Sequence, residues 1–425
     1  MGNVRIMDRR TPAGIATALD HRLTRRLARG AAGFVERLLE HDTMRRMPYA
    51  ITARLRRLAH RAPPRIRVHG PGATGRQLLL VGHDLSRSGA PQLLLEIARL
   101  LVADGAAVTL ATPEDGPLRE PLVAAGVTVV IDPLLLRRPE RLLPELAGAV
   151  DAALCNTFVT APAVAVLAPG LPVIWYVHEV SALAERLTAD ASLRDTLALP
   201  ARLWAGSELS ATLLRKARAD VEVVPYGLDP IATRKDARPV AKERPVRLAV
   251  LASIEPRKGQ DLLLAAIEHL SDAERGLLEV AIHGRTLDTA FGNALHTRAE
   301  TLSVVSVDGA LDTDGYRAAV LACDAVVVPS RDDTLPLVSL DALGAGRLLI
   351  CTRTTGTAAY LENGISGFVA PEPTAAAIAA TLAEAIARVD DWPTIAAAGR
   401  AVFARSFSKD VFAARLRDTL ATIAS

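Results

Sequence analysis

"VPSRDDTLPLVSLDALGAGRLLI", residues 328–350, is the stretch on which the reading of this chain turns. Apolar runs bracket it, DAVVVPS on one side and RLLICT on the other. Their hydrophobicity is continuous rather than alternating, so both faces are buried, as in a parallel sheet between helix layers. The segment between them reads as a loop, RDDT, followed by a helix from about Leu337 to Leu343 that glycine stops. Asp333 then lies in the loop at the end of a strand, and Asp341 about one turn inside the helix. With that helix aimed at the strand ends, the N–H groups of Leu337 and Val338 are anion donors. Two carboxylates so placed can accept hydrogen bonds from neutral hydroxyls. Plainer readings compete: Asp333 as an N-terminal cap, and Asp341 as a solvated helix position.

The same alternation extends in both directions. QLLLVGH, AAVTLAT, VTVVID, AALCNT, PVIWYVHE, RLWAGS and VEVVPYG are one series of strand-like runs, and VRLAVLAS, LEVAIHG, VVSVDG, DAVVVPS, RLLICT and SGFVAP are a second. The polar stretch DPIATRKDARPVAKERP, residues 229–245, separates them and reads as a solvated hinge. Two strand-helix series joined by a linker predict an α/β fold of two Rossmann-like domains facing across a cleft. The expected divisions are an arginine-rich helical extension and linker at 1–75, an N-terminal Rossmann-like domain at 76–232, a C-terminal one at 233–402, and a closing helix at 403–425.

Three further strand ends carry chemistry. After the first strand, Ser86 to Gly89 turns the chain into a helix, and the small residues Ser88 and Gly89 offer backbone N–H groups to an anion. The segment lacks G-x-G-x-x-G, and no acidic residue closes the second strand, which disfavours a dinucleotide cofactor. His178 and Glu179 follow a buried strand. With no second histidine at i+4 and no cysteine nearby, they do not read as metal ligands. In EPRKGQDLLLAAI, Arg257 and Lys258 stand directly before Gly259 and a helix, in a chain with 45 arginines and only five lysines. Two cations at a helix N-terminus suit a diphosphate, and the plainer reading is a solvated charge pair.

The net charge of +3 hides an asymmetry. Residues 1–70 hold 16 arginines, no lysine and five acidic residues, a charge of +11, and the other 355 residues carry −8. IATALDHRLTRRLARGAAGFVERLLEH and MPYAITARLRRLAHRA read as amphipathic helices. They either extend and pack on the body or attach to an anionic membrane surface. Aromatic residues make up only 4%, and without basic-aromatic interleaving nucleic acid is disfavoured. APPRIRVHGPGATG, residues 62–75, reads as a linker. Cys155, Cys323 and Cys351 match no metal or redox spacing and read as core. No run reaches the roughly 18 apolar residues of a membrane span. The N-terminus lacks the order of a secretory signal, so the expected location is cytoplasmic, with the arm at the inner face of the membrane.

Taken together, LSRSGAPQ, WYVHE, VVPYGLD, EPRKGQDLLLAAI, VVPSRDDTLPLVSLDALGAG and TTGTAAYLENGISGFVAP resemble the retaining GT-B glycosyltransferases of the glycogen-synthase-like group 1 family, over about residues 77–420. In that family an acidic pair at E-x7-E spacing binds the donor, the first carboxylate against the transferred sugar and the second on the ribose. The matching pair here is Asp333 and Asp341, a D-x7-D variant, each one methylene shorter. Lys258 matches the family lysine, whereas the usual Gly-Arg is Ala252-Ser253, with Arg257 nearby. His178 matches a histidine near the transferred sugar and the acceptor, Gly89 the loop over the donor diphosphate, and FSKDVFAARLRDTLATIAS resembles the family's last helices, which return to pack on the N-terminal domain.

The resemblance thus implies catalytic roles for His178, Lys258 and Asp333. It implies donor contacts from Gly89, Arg257, Lys258, Asp333, Leu337, Val338 and Asp341, and acceptor-side contacts from Ser88, His178 and Glu179. The implied reaction moves a sugar from a nucleotide diphosphate sugar to a glycan or lipid-linked acceptor with retention, as in cell-envelope polysaccharide or glycolipid synthesis, with no cofactor or metal. A catalytically silent scaffold that binds glycan or a protein partner is the alternative, and a phosphorylase or epimerase on the same fold is a third.

Overall fold

The computed structural model describes residues 66–70, 75–231 and 245–423. The arginine-rich arm and most of the 229–245 hinge lie outside the described residues.

The thirteen strands that the apolar runs predict are present, and one further strand precedes them. They are β1 (Arg67–His69), β2 (Gln77–Val81), β3 (Ala107–Thr112), β4 (Thr128–Ile131), β5 (Ala152–Asn156), β6 (Val173–Val177), β7 (Arg202–Ala205) and β8 (Val221–Val223), then β9 (Val246–Leu251), β10 (Leu278–His283), β11 (Val305–Asp308), β12 (Ala325–Val328), β13 (Leu348–Thr352) and β14 (Phe368–Ala370). Two sheets result. The first has the order β1-β4-β3-β2-β5-β6-β7-β8, and the second β11-β10-β9-β12-β13-β14. Every pairing in the second sheet is parallel. Every residue of β3, β5, β6, β12 and β13 is buried, which is why their sequences show no alternation.

Residue contacts divide the described chain into two compact units. One is built from the residues up to Trp175 together with Leu199–Ala201, the other from Tyr176–Ala198 and Arg202–Ile423. Cys155, Cys323 and Cys351 are buried thiols, as expected of core residues.

One segment differs from its reading. Within the expected linker 62–75, Arg67, Val68 and His69 pair antiparallel with Ile131, Val130 and Val129. A strand of three residues with a single apolar side chain leaves no period to detect, and only the edge of β4 makes it a strand. At the other end, the helix Lys409–Ile423 packs within the second unit: Arg415 donates to Glu222 at 2.6 Å, Lys409 to Asp229 at 2.8 Å, and Phe412 stacks on Tyr176.

Candidate functional site

In an open parallel sheet, ligands bind beyond the carboxyl ends of the strands where the strand order reverses. In the second sheet that point lies between β9 and β12, neighbours from which the chain winds outward in opposite directions. EPRKG follows β9 and SRDDT follows β12, so the topology delivers both charged motifs to one place.

The approach is close. After β9 a single 3-10 turn, Pro256–Lys258, ends at Gly259 with φ 70°, and a Cβ on that glycine would stand 2.0 Å from the carbonyl oxygen of Pro329. Only glycine fits both the left-handed backbone and the contact. Lys258 Nζ thereby donates to Asp333 Oδ2 at 2.5 Å, joining residues 75 apart in sequence. Arg257 Nη1 stands 3.9 Å from the other Asp333 oxygen and donates to the Asp332 carbonyl at 3.1 Å, while its Nη2 meets Glu255 at 3.1 Å. The solvated-pair reading therefore describes Arg257, whose side chain is 44% exposed, but not Lys258, at 14%.

Asp333 is fixed by its backbone. Its N–H donates to Thr354 O at 3.1 Å, its carbonyl accepts from Gly356 N at 2.8 Å, and Thr354 Oγ1 donates to Ser330 O at 2.7 Å. A Cβ on Gly356 would fall 1.6 Å from Thr334 O, so this clamp also requires glycine. Asp333 is not the helix cap. The helix runs Leu337–Gly344 behind Pro336 with no side-chain cap, and its first backbone bond is Ser339 N to Pro336 O. Leu337 and Val338 precede that bond, so their N–H groups point out of the helix end.

Asp341 is not a solvated position either. It is partly buried, and Tyr316 donates its hydroxyl to Asp341 Oδ2 at 2.6 Å. Burial pushes its carboxyl up from the ordinary 3.8 to about 6, against the opposing pull of the Tyr316 hydrogen bond and the Arg317 charge. Tyr226 is also buried, and its phenol is driven upward first by burial and then by the negative charges of Asp333 and Asp341. Tyr226 and Tyr316 were not among the residues expected from sequence. A buried tyrosine in an apolar context reads as core, and only its partner marks it otherwise.

His178 follows β6 and packs edge-on against Tyr176, with ring centroids 4.0 Å apart, and against Tyr226 at 6.0 Å. Gly206 makes room for it. A Cβ there would stand 2.7 Å from His178 Nδ1 and 3.6 Å from Thr334 Cγ2. The Glu179 carboxylate turns back to accept the His178 backbone N–H at 3.0 Å, and Ser181 N donates to Asp332 Oδ2 at 2.9 Å. His178, Lys258, Asp333 and Asp341 thus belong to one compact unit.

Ser88 and Gly89 belong to the other unit. Its strand order reverses between β2 and β5, and the Ser86–Gly89 loop follows β2. Ser86 and Ser88 hydroxyls lie 2.9 Å apart, the helix begins at Gly89, and the space a Gly89 Cβ would enter is open. Asn156, which ends β5, donates to Ala90 O at 2.9 Å.

Two family descriptions fit the chain. Residues 232–391 match "Glycosyl transferases group 1", and residues 74–199 match "Glycosyl-transferase family 4". Over residues 232–391 the chain belongs to the group 1 glycosyltransferases. In sequence it is 27% identical over 233 residues to a D-inositol 3-phosphate glycosyltransferase of Xylanimonas cellulosilytica, which covers 50% of this chain and 55% of that protein. The chain spans about half the length of the curated relatives it matches. In fold it matches Anabaena HepE in complex with UDP-glucose, with a TM-score of 0.67 and 18% identity over 82% of this chain and 100% of that one. It also matches WaaG, a glycosyltransferase involved in lipopolysaccharide biosynthesis, with a TM-score of 0.63 and 15% identity over 81% and 99%. At these identities the matches establish the GT-B fold.

Proposed function

We propose that this group 1 family member transfers a sugar from a nucleoside diphosphate sugar to a glycan or lipid-linked hydroxyl, with retention at the anomeric carbon. The observation that carries this reading is the Lys258–Asp333 contact at the strand-order reversal of the second sheet. A cation and a carboxylate 2.5 Å apart, beside outward N–H groups of a helix, supply both signs of charge to one small volume. The donor needs both: its diphosphate takes Lys258, Arg257 and the Leu337 and Val338 N–H groups, and its sugar hydroxyls take Asp333. As the glycosidic bond breaks, negative charge grows on the diphosphate oxygen. Donors already aimed there contribute several kcal/mol each, about 10²–10³ in rate per well-placed group. Donor entry divides the Lys258–Asp333 pair, so Lys258 turns from the carboxylate to the phosphate as the sugar takes its place.

His178, held by Tyr176 and Tyr226, is assigned to the acceptor side of the transferred sugar. Asp341 is assigned to the ribose. Gly89 and Ser88 are assigned to donor-loop and acceptor contacts in the first unit. The UDP-glucose in the HepE structure makes a uridine donor the first to test, and the inositol phosphate named for the Xylanimonas relative makes a polyol a candidate acceptor. Turnover of an α-linked donor, followed by NMR, is expected to give an α-linked product; a β-linked product would overturn retention.

The charge of +11 over residues 1–70 supports an envelope acceptor reached at an anionic membrane face. Among the described residues no helix is long and apolar enough to cross a membrane. The full chain is expected to pellet with phosphatidylglycerol vesicles at low salt and to release as salt screens the charge. Equal pelleting after deletion of residues 1–70 would sink that assignment. A nucleotide-silent scaffold is the second reading. It is favoured by Ser253, which stands where the family has arginine and donates its hydroxyl to Glu255 at 2.7 Å. Failure to bind any nucleoside diphosphate would establish it.

A further inference from the structure

We propose that Tyr316 is a positioning residue of the nucleotide site, one that sets the Asp341 carboxylate for the ribose; this rests on the donor-site reading above. Tyr316 lies on the helix Thr313–Ala322 and Asp341 on the helix Leu337–Gly344. Their hydrogen bond, 2.6 Å between residues 25 apart, crosses from one helix to the other with β12 between them in sequence. An aspartate reaches one methylene less far than a glutamate and rotates about fewer bonds. Held by one oxygen, it presents the other in a fixed direction.

Tyr316 takes Oδ2, and Oδ1 is left to accept from a ribose hydroxyl. A carboxylate alone could turn either oxygen to the diol; here the phenol holds one oxygen and so fixes the direction of the other.

The surroundings fit a charge that is retained. Asp341 is the only titratable residue of its own helix. The groups facing it from other elements are Tyr316 and Arg317 on the helix Thr313–Ala322, and Tyr226 after β8; Cys323 lies near Tyr316. Arg317 alone among them is a cation. With burial opposing ionisation, the Tyr316 hydroxyl is, among the described residues, the hydrogen-bond donor that favours the ionised carboxylate, with the Arg317 charge acting in the same direction.

The test is calorimetric titration of the full chain with UDP, GDP, ADP and inorganic pyrophosphate. In Tyr316→Phe, affinity for the preferred nucleoside diphosphate is expected to fall about 5- to 10-fold at pH 7.5, as one hydrogen bond to a charged group is removed. Pyrophosphate, which has no ribose, is expected to bind unchanged. The pH at which nucleotide affinity is half-maximal is expected to rise, because the carboxylate loses the donor that favours its ionised form. In the Asp341→Asn background, Tyr316→Phe is expected to add nothing, since the phenol acts through the charge.

Unchanged nucleotide affinity and pH midpoint in Tyr316→Phe would overturn the proposal, and so would an equal loss for pyrophosphate. A full additional loss in the Asp341→Asn background would also overturn it. If Tyr316→Phe alone does not fold, the double variant, which removes donor and charge together, carries the test. No binding of any nucleoside diphosphate by the wild-type chain would instead bring down the donor-site reading, and this proposal with it.

Discussion

Both sheets reverse their strand order in the same way, yet the two reversal points carry different chemistry. At β9 and β12 a lysine and an aspartate are in contact, with an arginine beside them. At β2 and β5 the strand ends bring hydroxyl and amide groups, Ser86, Ser88, Asn156 and Thr157, beside a His83–Asp84 pair and the exposed Arg87. Asp84, the nearby carboxylate, turns onto the Ser86 N–H at 2.9 Å. Thr157 sits at φ 77° with its hydroxyl buried and, among the described residues, without a hydrogen-bond partner. Topology fixes where a ligand goes, and side chains fix its kind. On the reading proposed above, the contacting cation and carboxylate take a diphosphate, and the hydroxyl-rich loop takes a hydroxylated acceptor.

The charged reversal is broken most directly at Lys258. Lys258→Ala is expected to reduce turnover about 10²–10³-fold through loss of leaving-group stabilisation. It is also expected to lower the melting temperature, because Asp333 keeps its burial and loses its nearest partner. Turnover within a few fold of wild type would remove the lysine from the chemistry.

Asp341→Asn has a smaller effect and two signs. Losing a charged acceptor is expected to weaken nucleotide binding about 10-fold or more, measured by calorimetry. Stability moves the other way. Because the carboxyl titrates near 6 when folded and near 3.8 otherwise, it favours folding below about pH 4, and that contribution disappears as pH rises through 6. The asparagine variant is therefore expected to melt higher than wild type at pH 8, by roughly 1–2 kcal/mol, and to show no such gain at pH 4. A gain that is the same at both pH values would remove the ionised carboxylate as its cause.

The hydroxyl-rich reversal is probed by Ser88→Ala. One lost neutral hydrogen bond is expected to raise the acceptor KM about 3- to 10-fold, with nucleoside diphosphate affinity unchanged. An effect on nucleotide affinity alone would merge the two regions that the comparison keeps apart.

The fold was legible because its strands are buried on both faces, as AVVV in β12 and LLICT in β13 show without alternation. The three residues of β1 were not, since an edge strand draws its stability from its neighbour. Among the candidate residues, Lys258 stood out by rarity and Asp333 and Asp341 by spacing. Their partners were hidden. Nothing in TDGYRAA marks Tyr316 as facing an aspartate, because a phenol at helical period looks the same against a carboxylate as against leucine. Nothing in the sequence marks Gly259 and Gly356 as close-approach positions, whereas the structure shows each permitting a backbone contact that no side chain would survive.

The clamp on Asp333 has a thermodynamic consequence. Bound on both sides by Thr354 and Gly356, its loop already holds one conformation before any ligand arrives. Binding then requires little ordering of the chain, and the entropy lost on association is mainly that of the ligand. On the donor-site reading proposed above, affinity is set instead by an exchange of partners, in which the Lys258 ammonium leaves the Asp333 carboxylate for a phosphate. Such an exchange is enthalpic and salt-sensitive, and it needs no moving lid to begin.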